Sequence, residues 1–561
     1  LNFATLAVGG AVNLSDIAAG VGGFVINGQC ASDLSGWSVS SAGDVNGDGI
    51  ADLLIGAYKS DPAGGVDAGK TYVVFGKTGS FTAINLSDVA TGNGGFVING
   101  QGASDYSGYS VSSAGDVNGD GLADLIVGAA SSDPAVGIDA GRTYVVYGKT
   151  NSTAINLSDI ATGNGGFVIN GQCSCDNSGV SVSSAGDVNG DGLADLIVGA
   201  SNSDPAAGAQ AGRTYVVFGQ TGTTAIDLSA IAAGTGGFVI NGQCLSDWSG
   251  SSVSSAGDVN GDGLADLIVG ATGSDLAGGT DAGRTYVVFG KTNSTAIDLS
   301  AVAAGTGGFV INGQCSCDYS GVSVSSAGDV NGDGLADLIV GATGSDLAGG
   351  TDAGRTYVVF GQTGTIAINL SAIAAGVGGF VINGQCSSDW SGRSVSSAGD
   401  VNGDGLADLI VGAYGSDPAA GSNAGRTYVV YGKTGTTAIN LSAVATGNGG
   451  FVINGSSAND NSGVSVSSAG DINGDGLADL IVGASYSTAP AETNAGRSYV
   501  IFGGTQFATT VDYLGGANAD TFAGTSAAET FVLGAGNDKA TASGADVVYA
   551  GAGNDTITVD S

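Results

Sequence analysis

Seven copies of a nine-residue acidic segment recur along this chain of 561 residues, and they hold the side chains best suited to chemistry. They read DVNGDGIAD at 44–52, DVNGDGLAD from residues 116, 187, 258, 329 and 400, and DINGDGLAD from residue 471. Oxygen-bearing side chains occupy positions 1, 3, 5 and 9, and the glycine at position 6 permits a sharp turn. The pattern predicts a loop that wraps its oxygens around one hard cation.

Calcium is the cation that this ligand set favours. Carboxylate, amide and carbonyl oxygens without nitrogen or sulfur suit Ca²⁺, whereas Mg²⁺ demands a stricter octahedron. The backbone carbonyl of position 7 would complete the cage. An ordinary Asp-Gly or Asn-Gly turn is the alternative, and seven perfect copies argue against it. The predicted ligands at positions 1, 3, 5, 7 and 9 are Asp44, Asn46, Asp48, Ile50, Asp52; Asp116, Asn118, Asp120, Leu122, Asp124; Asp187, Asn189, Asp191, Leu193, Asp195; Asp258, Asn260, Asp262, Leu264, Asp266; Asp329, Asn331, Asp333, Leu335, Asp337; Asp400, Asn402, Asp404, Leu406, Asp408; and Asp471, Asn473, Asp475, Leu477, Asp479.

The spacing of these loops predicts one structural unit repeated seven times. The first interval is 72 residues and the other five are 71, a period typical of repeat architectures. Within the repeat at 100–171, apolar or small-residue strands are predicted at 110–116, 123–129, 142–148 and 166–172. Four antiparallel strands with both faces apolar are typical of a β-propeller blade. The fold class predicted is therefore all-β, a seven-bladed propeller.

The two ends of the repeat array predict how the ring closes. The strand sequence FVING occurs seven times, but its first copy at 24–28 precedes the first loop and none follows the seventh. Residues 1–29 are therefore expected to supply the outer strand of the last blade within a propeller spanning 30–503. The alternative is that this strand completes a blade of a neighbouring molecule, which would build a filament.

Composition excludes several classes of partner. The formal net charge of −37 would still be about −23 with seven divalent ions bound, which disfavours nucleic acid and anionic membranes. No run of 18 apolar residues is present, so membrane insertion is not expected. No secretory signal precedes Leu1, and a mature or excised chain is expected.

The loops and their flanks resemble a known family. The segments SGYSVSSAGDVNGDGLADLIVGA at 107–129 and GRTYVVYG at 141–148 are similar to the FG-GAP repeat of integrin α-subunit propellers and of many bacterial surface proteins. The resemblance covers roughly residues 12–503 and implies seven blades with calcium in the loop between the first two strands. The FG of the family pattern is SG here, and GAP has become GAY, GAA, GAS or GAT; neither change touches a predicted ligand.

A different pattern occupies residues 504–561. Acidic residues recur every eight or nine positions, at Asp520, Glu529, Asp538, Asp546 and Asp555, and two of them end the segments LGAGND at 533–538 and AGAGND at 550–555. This part is similar to the RTX nonapeptide tail, which implies a small β-roll that binds calcium. The predicted tail ligands are Asp520, Asp538 and Asp555. A glycine-rich cap on the propeller is the alternative.

One variable position before each inner strand is a candidate ligand or assembly surface. It is filled in turn by Leu34, Tyr106, Asn177, Trp248, Tyr319, Trp390 and Asn461. The aromatic members, Tyr106, Trp248, Tyr319 and Trp390, are suited to contact a sugar ring or a second copy of the chain. Packing within the loops is the alternative.

Catalysis finds no support in the sequence. There is no histidine to serve as the base of a Ser or Cys nucleophile, and an oxygen-saturated cage leaves no open position for Lewis-acid work. We therefore expect a secreted or cell-surface, non-enzymatic calcium-binding protein. It is predicted to assemble with itself into a surface layer or filament, or alternatively to act as an adhesion or lectin-like module that binds a surface glycan or protein.

Overall fold

The structure is a computed structural model that describes residues 11–79, 81–275, 279–346, 350–489 and 492–504, with short segments between residues 513 and 560. Its main part consists of seven sheets of like construction. Each sheet is one blade, and its first strand is made of the small residues of SVSSAG. These innermost strands are β3 (Ser38–Gly43), β8 (Ser110–Gly115), β13 (Ser181–Gly186), β18 (Ser249–Gly257), β23 (Val324–Gly328), β28 (Ser394–Gly399) and β33 (Ser465–Gly470).

Two apolar strands follow in every blade. The second strands are β4 (Asp52–Ala57), β9 (Asp124–Ala129), β14 (Asp195–Ala200), β19 (Asp266–Ala271), β24 (Asp337–Ala342), β29 (Asp408–Ala413) and β34 (Asp479–Ala484). The third strands are β5 (Lys70–Val74), β10 (Arg142–Val146), β15 (Arg213–Val217), β20 (Arg284–Val288), β25 (Arg355–Val359), β30 (Arg426–Val430) and β35 (Arg497–Ile501). All pairings among these strands are antiparallel, with Ala57 opposite Lys70 in the first blade.

The GFVIN segments form the fourth strand of each blade. They are β2 (Gly23–Asn27), β7 (Gly95–Asn99), β12 (Gly166–Asn170), β17 (Gly237–Asn241), β22 (Gly308–Asn312), β27 (Gly379–Asn383) and β32 (Gly450–Asn454). Blade 1 is thus β3, β4, β5 and β7, and blades 2 to 6 follow in order along the chain. The prediction of seven blades with four antiparallel strands is confirmed.

Each sheet also has a fifth, short strand that the sequence analysis did not predict. These strands pair in parallel with the fourth strand of the preceding blade, as Ile155 does with Ile98. They are β1 (Ala11–Asn13), β6 (Ile84–Asn85), β11 (Ile155–Asn156), β16 (Ile226–Asp227), β21 (Ile297–Asp298), β26 (Ile368–Asn369) and β31 (Ile439–Asn440). One helical turn follows each of them: α1 (Leu14–Ala18), α2 (Leu86–Val89), α3 (Leu157–Ile160), α4 (Leu228–Ala232), α5 (Leu299–Ala303), α6 (Leu370–Ala374) and α7 (Leu441–Val444).

The hydrophobic core lies between the blades. One cluster joins Leu54 and Phe96 of blade 1 to Leu125 and Tyr144 of blade 2, all buried, and the same arrangement recurs around the ring. Because every sheet is covered on both faces, the second and third strands are buried at nearly every position. The blades stabilise one another, as expected of a repeat that cannot bury its apolar faces alone.

The N-terminal segment closes the ring. β2 pairs antiparallel with β35, with Val25 opposite Tyr499, and so completes blade 7. β1 pairs in parallel with β32 and joins blade 6. At the centre, Val39 N donates to Ser465 Oγ at 3.1 Å, and equivalent bonds link all seven inner strands into a circle. The predicted closing of the ring by the N-terminal strand is confirmed, and exchange of this strand with a neighbouring molecule stays the alternative.

The C-terminal segment contains short strands in two parallel sheets. The first sheet is β36 (Tyr513–Leu514), β38 (Thr530–Val532) and β40 (Val547–Tyr549), and the second is β37 (Thr521–Ala523), β39 (Lys539–Ser543) and β41 (Thr556–Asp560). Successive strands therefore alternate between two sheets. Among the described residues, no helix is long and apolar enough to cross a membrane.

Candidate calcium loops and the opposite face

Each predicted cation loop lies between the first and second strands of a blade and is ordered by its own carboxylates. In blade 1, Asp44 accepts hydrogen bonds from the backbone N–H groups of Gly47 at 2.7 Å and Gly49 at 2.8 Å. Asp48 accepts one from Ile50 at 3.0 Å. The same bonds recur in the other loops, for example at Asp187 and Asp191. Positions 1 and 5 therefore curl the backbone into a tight turn.

The Asp at position 9 ties the loop to the rest of its blade. Asp52 is buried, and its two oxygens accept hydrogen bonds from Val45 N at 3.0 Å and Gly76 N at 2.9 Å. Asn46 Nδ2 lies 3.4 Å from the same carboxylate. Gly76 follows the third strand, and the sequence contains no signal for this bond because it joins segments 24 residues apart.

The loops also bridge neighbouring blades. Ala123 N, in the loop of blade 2, donates to Asp44 O in the loop of blade 1 at 3.0 Å. Lys149 N of blade 2 donates to Val45 O at 2.9 Å. Equivalent bonds connect Ala51 of blade 1 to Asp471 of blade 7. A cation held in one loop would therefore stabilise contacts on both sides of a blade boundary.

Burial destabilises the ionised form of the carboxylates at position 9. It raises the pKa of Asp52, Asp124 and Asp195 to about 7 each, against the backbone hydrogen bonds, which lower it. In blade 6 burial raises the pKa of Asp408 to about 8. A buried carboxylate of this kind is stabilised either by a proton or by a nearby positive charge.

The chemistry of the loop fits a hard cation. The amide oxygen of Asn402, at position 3 of the sixth loop, is buried without a hydrogen-bond partner. Each carboxylate oxygen carries two lone pairs, so the amide bonds above leave acceptor capacity unused. Within the described ranges, no three acidic or thiol side chains are gathered tightly enough to define a metal site by themselves. The assignment of calcium ligands thus stays a prediction, supported by donor chemistry and burial.

Of the three predicted tail ligands, only Asp538 lies in the described part of the chain. It is buried next to β39, and its backbone carbonyl accepts a hydrogen bond from Thr556 N at 2.9 Å. Asp520 and Asp555 lie outside the described residues. The tail calcium sites remain predictions.

The four candidate aromatic residues lie at the end of the inner strand opposite the cation loop, and each has a left-handed backbone with φ between 49° and 53°. Three of them pack on a glycine of their own blade. A Cβ added to Gly273 would lie 2.7 Å from the Trp248 ring, and one added to Gly415 equally close to Trp390. Tyr319 lies against Gly344 in the same way. These contacts favour loop packing for the three residues. Trp390 also stacks on Tyr414 with ring centroids 5.2 Å apart, and Tyr106 contacts the ring of Tyr58 at 5.9 Å.

The segments that match a known repeat family coincide with the blades of the structure. The FG-GAP repeat family matches residues 35–74, 107–146, 178–217, 249–288, 320–359, 391–430 and 462–501. Each match spans the first three strands of one blade and the loop between the first two.

Relatives match over part of the chain. Integrin alpha-PS2 of Drosophila melanogaster is 31% identical over 189 residues, which is 32% of this chain and 12% of that protein. Integrin alpha pat-2 of Caenorhabditis elegans is 32% identical over 236 residues, covering 41% of this chain and 17% of its own. The phosphatidylinositol-glycan-specific phospholipase D of Bos taurus is 31% identical over 168 residues, 29% of this chain and 18% of that enzyme. The chain thus spans less than a fifth of the length of each relative.

The crystal structure of the V. cholerae biofilm matrix protein Bap1 aligns with 86% of this chain and 89% of its own at 12% identity, and its TM-score of 0.22 carries no argument. The repeat matches and the seven sheets, in contrast, agree blade by blade. The chain therefore belongs to the proteins built from FG-GAP repeats, with one repeat in each of its seven blades.

Proposed function

We propose that this protein is a secreted, non-enzymatic recognition module, a calcium-stabilised propeller that binds its ligand on the face opposite the cation loops. The observation that carries this proposal is a difference in sequence variation between the two faces of the propeller. The cation loop is the same in every blade apart from Ile for Leu or Val, whereas the segment before each inner strand carries Leu, Tyr, Asn or Trp. Such variation on one face favours binding there, because the seven blades share one fold whichever residue stands at this position.

Calcium is assigned a stabilising role in this proposal. The loops connect adjacent blades, and each filled loop would stabilise the folded ring by mass action. Extracellular calcium, at about millimolar concentration, would keep sites of moderate affinity occupied. The partial identity to integrin α subunits supports an extracellular location.

A binding survey tests the recognition function. The full chain, detected through an affinity tag at its C-terminus, would be applied to arrays of glycans and extracellular matrix proteins in excess calcium and after chelation. Saturable binding that weakens on chelation is expected, since calcium holds the blades together. Absence of any bound ligand together with the formation of large particles would contradict the proposal.

A second candidate function, a subunit that assembles with itself, is favoured by one observation. Several apolar side chains outside the core are strongly exposed, among them Ile366 at 79% and Val377 at 65%. Light scattering in excess calcium separates the two functions. A uniform particle of 53.6 kDa supports a recognition module, and polymers that dissolve on chelation support an assembling subunit.

A further inference from the structure

Blades 1 and 2 share a cluster of four aromatic rings at the end of the molecule opposite the cation loops. We call Trp37, Tyr58, Tyr106 and Tyr109 the aromatic quartet. Tyr58 is central, with ring centroids 5.1 Å from Trp37, 5.4 Å from Tyr109 and 5.9 Å from Tyr106. The rings are tilted or edge-on to one another, and all four side chains are half-buried. They therefore form a surface with several differently inclined ring faces.

The polar groups of the quartet differ from those of the structural tyrosines in their hydrogen bonding. Tyr72, on the third strand of blade 1, donates its hydroxyl to Gln29 Oε1 at 2.6 Å, and Tyr144 bonds Gln101 in the same way at 2.7 Å. Among the described residues, no protein group bonds the hydroxyls of the quartet or the indole N–H of Trp37. Burial raises the pKa of Tyr58 to about 12, so its hydroxyl is a donor at neutral pH. The quartet thus presents ring faces and unused hydrogen-bonding groups together.

Blades 3 to 5 show that the quartet is not required by the fold, and blade 6 keeps only the central tyrosine, as Tyr414, with Arg393 in the place of Trp37. The place of Trp37 and Tyr109 is taken by Val180, Ser251 and Val322 in blades 3 to 5, and that of Tyr58 by Ser201, Thr272 and Thr343. The strands of these blades are otherwise nearly identical to those of blades 1 and 2. Because seven near-copies act as internal controls, a local departure toward large aromatic residues points to a role other than folding.

The charges around the quartet indicate a neutral ligand. Lys59 Nζ lies 5.8 Å from the centroid of the Tyr58 ring and so already occupies a cationic position there. Asp67 lies close enough to Tyr58 to contribute to raising the pKa of its hydroxyl, and the chain carries a net charge of −37. Lys59 would repel a second cation, and the net negative charge of the chain would repel an anion. Ring faces with hydroxyl, indole N–H and carboxylate groups nearby suit the C–H faces and hydroxyl groups of a sugar.

We propose that the aromatic quartet of blades 1 and 2 is a binding site for a neutral saccharide. This inference rests on the proposed recognition function and names the ligand class of the same face. It assigns binding to Trp37, Tyr58 and Tyr109, which the sequence alone did not single out. Trp248, Tyr319 and Trp390 are in contrast assigned to packing on their glycines.

The test uses variants that copy residues from other blades. Trp37→Val and Tyr109→Val introduce the valine of blade 3, and Tyr58→Thr introduces the threonine of blade 4. Trp248→Asn, which copies Asn177 of blade 3, is the matched control. The full chain in excess calcium would be applied to an array carrying neutral, sialylated and sulfated glycans, with a lysine-rich peptide as a cationic probe, and affinities for bound glycans measured by calorimetry.

Binding to neutral glycans is expected, with each quartet variant losing at least about tenfold in affinity and the control unchanged. Unchanged melting temperatures would show that the variants fold. The inference is overturned if the array retains only charged probes or nothing, or if Trp248→Asn weakens binding as much as Trp37→Val. If the chain instead binds a matrix protein equally well with and without the quartet, the recognition function stands and the saccharide site does not.

Discussion

At the scale of single residues, the Asp at position 9 joins the predicted cation loop to the rest of its blade. Its carboxylate accepts two backbone hydrogen bonds and is buried in every blade. Residue types and spacing were enough to predict a tight acidic turn between the first two strands of each blade, and the cation ligands within it stay a prediction. The partners of those side chains could not be predicted, since Gly76 N reaches Asp52 only after three strands have paired.

Removing one position 9 carboxylate should remove one calcium ion. For Asp266→Asn we expect the number of ions bound per chain to fall by one, because the remaining oxygens of that loop lack the charge to hold Ca²⁺. Calorimetric titration measures this number. Asp298→Asn is the control, since five other repeats have Asn at that position and the side chain is exposed. An unchanged count in Asp266→Asn would contradict the ligand assignment.

The pH dependence of stability should reverse between calcium-free and calcium-loaded protein. The position 9 carboxyls have a pKa of about 6 in Asp266 and Asp337 and about 7 in Asp52, above the ordinary value of 3.8. The folded state then binds more protons than the unfolded state between about pH 4 and 8, so the free energy of unfolding falls as pH rises through this range. Calcium-free protein is expected to melt at a higher temperature at pH 5.5 than at pH 8. With excess calcium the order should invert, because protons compete with the ion. Equal melting temperatures in the calcium-free protein at both pH values would refute this.

At the scale of strands and turns, the sequence predicts those strands of the repeat that have a distinctive composition. Apolar runs and β-branched residues predicted four strands per blade. The fifth strand, such as Ile155–Asn156, was not predictable because two residues carry no periodicity and their partner Ile98 belongs to the preceding blade. The aromatic quartet could not be predicted as a cluster either, because its four residues come from two different repeats.

Substituting one glycine at a blade boundary tests how closely neighbouring blades pack. A Cβ on Gly199 of β14 would lie 2.1 Å from Gly250 O in the next blade. For Gly199→Ala we expect a loss of about 1–3 kcal/mol in the free energy of unfolding, as blades 3 and 4 are forced apart. Denaturant titration measures the loss. Gly222→Ala serves as the control, because no atom lies within 4 Å of its added Cβ. Equal stability of the two variants would argue against this contact.

At the scale of the whole molecule, the N-terminal strand joins the two ends of the chain. β2 is buried along its length, yet it is held to β35 across some 470 residues rather than by a short hairpin. Its sequence GFVIN is shared with six other strands. The ring therefore depends on this one strand remaining in its own molecule.

Weakening the closing strand should cause self-association, and weakening an identical strand elsewhere should not. Phe24→Ala with Ile26→Ala removes buried side chains from β2, and Phe238→Ala with Ile240→Ala removes the same groups from β17. Both double variants should melt at lower temperature. Only the β2 variant is expected to form dimers and larger species by light scattering, because its released strand leaves the edge of β35 open. Oligomers of both variants, or of neither, would contradict this account of closure.

The central claim is that all seven loops hold calcium around one closed ring. Crystals grown with calcium, measured at a wavelength where calcium scatters anomalously, would test it most directly. The account predicts seven anomalous peaks, one within each loop among the oxygens of positions 1, 3, 5, 7 and 9. A map without peaks in these loops, at calcium concentrations near those outside cells, would contradict it.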